Sequence, residues 1–468
     1  MTPAVPMTPA GPPRPQRGPA PWAGIRAGVP GVTQASVEHL PGTQRRVVLI
    51  RVAADTRLGA LSSGDSESLA AGARTALAQR LPLVVVMASS GADLFEGVSS
   101  LDGWGRAAAA LTACSGMVPV VFVAYGLAIS GPALMLGMAD AVVMTPEAVA
   151  YVSGPASVAA LTGVQVEPLA LGGAGVHLRS TGVAALVAAD VESGLEVVAD
   201  LLDYLPDHAD ELPAPRPSSD PPDRPAPELR DLLPGSATGS YDVRAVITAI
   251  GDDADVLELR AAWAPQLVTA LTRIAGQTVG VVANQPQSMA GTLDIAASQK
   301  GARFVAFCDS FNIPLLTLVD TPGFMPGRDL EWRGMIRHGA ELVYAYGEAT
   351  VPRVCLILRK AYGGAYIVMD SKLMGNDLCL AWPSAEVAVM GAEGAVQILH
   401  RREDAPTQAR LIDEYRERHL NPWAAAERGF VDEIIDPADT RAVVAQAFAM
   451  LSTKRERLPA RKHGNGPL

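Results

Sequence analysis

The chain has 468 residues, 49 % of them apolar with few aromatics, and a formal net charge of −11. That length holds two domains of about 200 residues, each with a proper core. The acidic balance argues against nucleic acid or an anionic membrane as the main partner, and no stretch reaches the roughly 18 apolar residues of a membrane span.

Eight prolines fall in residues 1–21, which predicts a disordered or extended tail over residues 1–23. The same stretch lacks the apolar core of a signal peptide, so an unexported, cytoplasmic chain is expected. Short apolar runs at Val47–Val52, Leu83–Met87 and Val120–Ala124 read as buried strands, with helices at Leu69–Leu81 and Arg106–Ser115. Nine prolines between Pro206 and Pro234 mark a linker, or a chain draped over the surface. It separates an N-terminal domain (24–205) from a C-terminal one (235–468). In the second domain Thr278–Val282, Leu315–Val319 and Val354–Leu358 read as strands, and Ile295–Asn312 and Met335–Glu348 as helices. Nearly all-apolar strands alternating with helices predict parallel sheets covered on both faces. Residues 408–468 read as charged helices. Cys114, Cys308, Cys355 and Cys379 form no CxxC pair, so neither a disulfide framework nor a zinc site is expected.

The two domains repeat one plan. Leu83–Met87 ends in the small-residue turn Ser89-Ser90-Gly91-Ala92, and the run opened by Val118-Pro119-Val120 breaks at Gly126-Leu127-Ala128-Ile129-Ser130-Gly131. In the second half Pro314–Val319 ends at Thr321-Pro322-Gly323, and the run opened by Val351-Pro352 breaks at Tyr362-Gly363-Gly364-Ala365. Gly91 to Pro119 is 28 positions and Gly323 to Pro352 is 29. A repeated strand–glycine turn–helix–strand–glycine turn brings backbone N–H groups, twice, to where a ligand oxygen could sit.

VANQP (282–286), VDTPGFMPG (319–327), YAYGEATVP (344–352), RKAYGGAY (359–366) and NPWAAAERGFVDEIIDP (421–437) together resemble the carboxyltransferase (β) subunits of biotin-dependent acyl-CoA carboxylases, of the propionyl-/acetyl-CoA type. The resemblance implies an α/β chain of two tandem crotonase-like domains. The first domain is worn: the family's Ser-Gly-Gly-Ala-Arg turn stands as Ser89-Ser90-Gly91-Ala92-Asp93, and its Ala-Gly-Gly-Ala turn as Ile129-Ser130-Gly131-Pro132. The place of the acid used by related hydratases is held by Leu134.

The implied reaction moves a carboxyl group from carboxybiotin, carried by a partner subunit, to the α-carbon of an acyl-CoA such as acetyl- or propionyl-CoA. The released ureido group can itself take the α-proton, so the protein's task is to stabilise two developing oxyanions with backbone N–H groups. The biotin side falls to Gly363, Gly364 and Ala365. The acyl-CoA side falls to Ser130 and Gly131, with Ser90, Gly91 and Ala92 lining the thioester region. Tyr362 and Ile367 are expected to contact substrate, and an apolar residue at 367 suggests less restriction to one short acyl chain. Asp294, Lys300, Asp320, His177, His338 and His400 are expected to be structural. The resemblance further implies a homohexamer, a biotin carboxylase/biotin carboxyl carrier (α) partner, active sites shared between protomers, and no metal in this chain. The worn first domain leaves three alternatives: an unusual acyl thioester of secondary metabolism, a decarboxylase, or a non-catalytic structural subunit.

Overall fold

A computed structural model describes residues 32–236 and 239–467; the proline tail expected over residues 1–23 lies outside them. The first sheet contains β1 (Thr33–His39), β2 (Arg46–Val52), β3 (Leu83–Ser89), β4 (Val120–Ile129), β5 (Ala141–Met144), β6 (Val149–Tyr151) and β7 (Leu186–Val187). Its order is β1-β2-β3-β4-β5-β7, with β6 beside the far end of β4. Two long helices, α1 (Ser63–Gln79) and α2 (Val98–Cys114), cover one face. Ser62 and Asp65 form a reciprocal capping box that starts α1. Between the covering helices and the strands, Val48, Ile50, Val85 and Phe122 are fully buried with Ala70, Ala73 and Ala107. Small helical residues let the backbone approach closely, which accounts for the alanine-rich composition.

The second sheet contains β8 (Val256–Glu258), β9 (Leu267–Ile274), β10 (Gln277–Asn284), β11 (Leu315–Thr321), β12 (Arg353–Tyr362), β13 (Leu378–Ala381), β14 (Glu386–Ala388) and β15 (Glu433–Ile434). The order is β15-β13-β12-β11-β10-β9-β8, with β14 beside β12. The middle of each sheet is parallel, as the apolar runs predict, but the edges are not. β1–β2 and β8–β9–β10 pair antiparallel. The β9–β10 hairpin turns at Ala275-Gly276, both at positive φ (53° and 78°), the geometry that matches strand twist in a two-residue loop.

One continuous core joins the sheets. The face of the first sheet away from α1 and α2, carrying Val47, Leu49, Val84, Val86, Val121 and Val123, shares a cluster with Leu195 and Leu202 of α3 (Val191–Asp203) and with Leu271, Phe304 and Phe307 of the second unit. Phe304 and Phe307 belong to α4 (Ile295–Ser310), which lies beside α5 (Met335–Glu348). The Pro206–Pro234 segment runs over the second unit rather than hanging free. Its Arg216 N–H donates to Gly276 O at 2.9 Å, its Ala226 N–H to Ala438 O at 2.8 Å, and its Ala226 and Leu229 side chains enter the core on the far face of the second sheet. Charged residues 405–419 form a helix, as expected, with no buried residue, whereas residues 455–467 are not helical. All four cysteines are free and buried. Among the described residues no helix is long and apolar enough to cross a membrane.

Candidate active site

The repeat read from the sequence is reproduced atom by atom at the ends of the central strands. β3 and β11 each shift register near their ends, between Met87 and Ser89 and between Val319 and Thr321. The turn glycines then stand at positive φ, 112° at Gly91 and 146° at Gly323. Each glycine N–H is taken by a hydroxyl two residues earlier: Gly91 by Ser89 Oγ at 3.2 Å, Gly323 by Thr321 Oγ1 at 3.4 Å. Each glycine carbonyl accepts from a bridging leucine, Leu61 N–H at 2.8 Å and Leu293 N–H at 3.1 Å. Those leucine carbonyls accept in turn from Asp93 N–H at 2.9 Å and Met325 N–H at 2.8 Å. The N–H groups of Ala92 and Phe324, between the bonded positions, have no acceptor among the described residues.

The second turns match as well. β4 runs into Ser130 at φ 61°, and β12 into Gly363 at φ 60°. A short helix follows each, Gly131–Leu136 and Gly363–Val368, and the first N–H groups of a helix have no intrahelical partner. Ser130 therefore adopts the backbone of the glycine it replaces. Its N–H, however, donates to Tyr151 O at 3.0 Å, so Ser130 is not the donor expected of it. Gly131 is. Pro132 stands within the first helical turn, where the N–H it lacks would have been unpaired in any case.

Two cavities lie over these turns. One of about 150 Å³ is lined by Leu61, Ala92, Leu101, Trp104, Gly131 and Leu134, among others. The other, of about 430 Å³, is lined by Gly363, Gly364, Tyr366, Ile367, Ser371 and Val389, among others. No residue lines both. Of the residues singled out in the sequence, Ala92, Ser130 and Gly131 line the first cavity and Gly363, Gly364 and Ile367 the second, while Ser90, Gly91, Tyr362 and Ala365 line neither. Ser90 and Gly91 support the turn from behind: Ser90 N–H donates to Leu58 O at 2.9 Å and its Oγ to Arg57 O at 3.3 Å. The Tyr362 side chain leaves the cavity and donates its hydroxyl to Glu386, tying β12 to β14. Burial, then Glu386, pushes that phenol up beyond the ordinary tyrosine range. Ala365 is fully buried behind Gly364, so what it can offer a ligand is its backbone. Sequence reasoning missed Phe324, although its register with Ala92 in the repeat pointed to it, and Trp104, for which no local signal exists.

Titratable groups are scarce around both cavities. The first has none, with Leu134 at the position of a hydratase acid. The second has Tyr366 and Lys372, and Lys372 Nζ is engaged by Asp432 Oδ2 at 2.7 Å. The Arg-to-Asp change at Asp93 brings no free negative charge to the site. Its buried carboxylate accepts from Phe95 N–H at 3.0 Å, starting a helical turn, and pairs with Arg57. Asp320, beneath the second turn, pairs with Arg359 at 3.0 Å and accepts from Lys360 N–H at 3.1 Å. Asp294 caps α4, and His177 bridges Ala150 O and Thr181 Oγ1, each at 2.8 Å; these are structural roles.

Residues 45–466 match the family described as Carboxyl transferase domain. The chain is 45 % identical over 399 residues to the methylmalonyl-CoA carboxyltransferase 12S subunit of Propionibacterium freudenreichii subsp. shermanii, covering 84 % of this chain and 76 % of that one. It is 45 % identical over 414 residues to the propionyl-CoA carboxylase beta chain of Roseobacter denitrificans, covering 88 % and 81 %. A solved transcarboxylase 12S hexamer with methylmalonyl-coenzyme A and methylmalonic acid bound has a TM-score of 0.91 and 41 % identity, covering 93 % of this chain and 85 % of that one.

Proposed function

This chain belongs to the carboxyl transferase family, and from that premise we propose that its two cavities divide one reaction, the smaller taking an acyl-CoA thioester and the larger the biotin ring. The chain is a two-domain, crotonase-like carboxyltransferase of the acyl-CoA carboxylase β-subunit type. One observation supports the division of labour above others. Two strand–turn–helix sites present backbone N–H groups over cavities almost without ionisable side chains.

On the acyl-CoA side, Ala92 and Gly131 N–H groups would receive the thioester oxygen as negative charge builds on it. Fixed amide dipoles in a site poor in water need no rearrangement at the moment of reaction. On the other side, Gly364 and Ala365 would hold the ureido oxygen, with Phe324 N–H at the place Ala92 occupies in the first domain. The larger cavity fits a bicyclic ring with one polar edge. Its lining is mostly apolar, Ser371 Oγ is buried without a partner among the described residues, and a Cβ on Gly363 would come within 3.0 Å of Val389 O. Carboxybiotin on a partner subunit would supply the carboxyl group and, after its release, a base for the α-proton. The chain's own residues then orient, exclude water and hold charge. Ile367 would meet the acyl group near its α-carbon, an apolar contact that does not single out one chain length.

Apolar rims around the cavities favour an assembly in which one protomer's first domain faces another's second domain. Leu94 and Phe95 are each 90 % exposed beside the first cavity, and Val389 is 76 % exposed at the second. Exposed apolar surface of this kind marks interaction sites. A hexamer with a biotin carboxylase/biotin carrier partner fits this arrangement. The intact first-domain geometry favours catalysis over a purely structural role. Mixing the purified protein with a matching α subunit, ATP, bicarbonate and a panel of acyl-CoAs tests the reading. Formation of malonyl- or methylmalonyl-CoA is expected; an assembled complex with no turnover would refute it.

A further inference from the structure

We propose that Trp104 is a specificity-determining residue, closing the acyl-CoA cavity against Gly131 and so setting the largest acyl group the enzyme accepts. This rests on the assignment of that cavity to the acyl-CoA. Trp104 projects from α2, and its indole lies so close over Gly131 that any Cβ at 131 would collide with its Nε1 and Cδ1. Nothing comparable covers the matching glycine of the second domain. A Cβ on Gly364 would meet only the Phe324 ring, at 3.8 Å. The cavities differ accordingly, about 150 Å³ against about 430 Å³.

The smaller volume lies below the roughly 300–1,000 Å³ of ordinary ligand sites. Its side chains are apolar apart from Ser100 and Ser130, and Ser100 Oγ is committed to Asp93 O at 2.6 Å. A short, uncharged acyl chain is the matching content. Trp104 Nε1 is buried with no acceptor among the described residues, so packing rather than a hydrogen bond places the indole. Its role is therefore one of shape.

The test compares kcat/KM for propionyl-, hexanoyl- and decanoyl-CoA in the reconstituted complex, using wild type, Trp104→Phe and Trp104→Ala. Removing an end wall opens room for several methylenes, each worth about tenfold or more in discrimination. The hexanoyl-to-propionyl ratio should rise about tenfold or more in Trp104→Ala and stay near wild type in Trp104→Phe. If Trp104→Ala does not assemble, Trp104→Leu carries the same comparison, with a smaller rise expected. An unchanged ratio in an active small-residue variant overturns the proposal. So does equal loss of propionyl-CoA turnover in the Phe and Ala variants, which would make the indole N–H the working group. A wild-type complex that turns over no acyl-CoA refutes the underlying reading, and this proposal with it. An active wild type with an unmoved ratio refutes this proposal alone.

Discussion

At the scale of single residues, the site rests on who spends which N–H. Ser130 adopts a φ of 61°, which costs a non-glycine residue about 1–3 kcal/mol, and it is held there by the Tyr151 carbonyl. The neighbouring Gly131 is left to donate. From sequence, a serine replacing a glycine looked like damage to the acyl-CoA side; in three dimensions the turn is preserved. Pro132 shows that proline fits the first turn of such a helix, and Ala365 is its counterpart in the second domain. Ala365→Pro should therefore fold and assemble while losing one N–H on the biotin side. Carboxyl transfer is expected to fall about 100-fold or more. Unchanged steady-state turnover would show that this amide holds no developing charge.

At the scale of elements, the glycine turns were legible because local backbone demands dictate them: positive φ at Gly91, Gly323 and Gly363 follows from chain direction alone. Partners distant in sequence were not. Asp93, standing in place of the family's arginine, finds its partner in Arg57, 36 positions earlier, and Tyr362 read as a contact residue until Glu386 drew its hydroxyl away. The antiparallel edge strands were hidden for a similar reason, since apolar content records burial but not strand direction. Lys300, on α4, is another such case. Its Nζ donates to Trp263 O at 2.9 Å, on a segment whose tryptophan ring presses on Gly182 of the first unit. Burial pushes its ammonium down to about 7 from an ordinary 10.5. Between those values the unfolded chain binds more protons than the folded one, so stability should fall as pH drops from about 10.5 to about 7 and then level off. Lys300→Met should flatten that slope in urea unfolding measured at several pH values. An identical slope would show that the ammonium stays charged when buried.

At the scale of the whole molecule, the repeat accounts for the division of labour. One fold, used twice, gives two glycine turns over two cavities, and on the proposed reading the differences between the copies set what each binds. Trp104 fills one cavity where the other stays open, and the exposed apolar rims lie beside both. That active sites are shared between protomers was implied by the family resemblance and not by residue pattern, because association depends on surfaces formed only after folding. The central claim is that main-chain amides rather than ionisable side chains hold the reaction's negative charge. Its most direct test is a structure of the assembled protein with an acyl-CoA and biotin bound. The account predicts the thioester oxygen about 2.7–3.1 Å from the nitrogens of Ala92 and Gly131, and the ureido oxygen equally close to those of Gly364 and Ala365. Either oxygen found instead against a charged side chain, with those amides turned away, would contradict it.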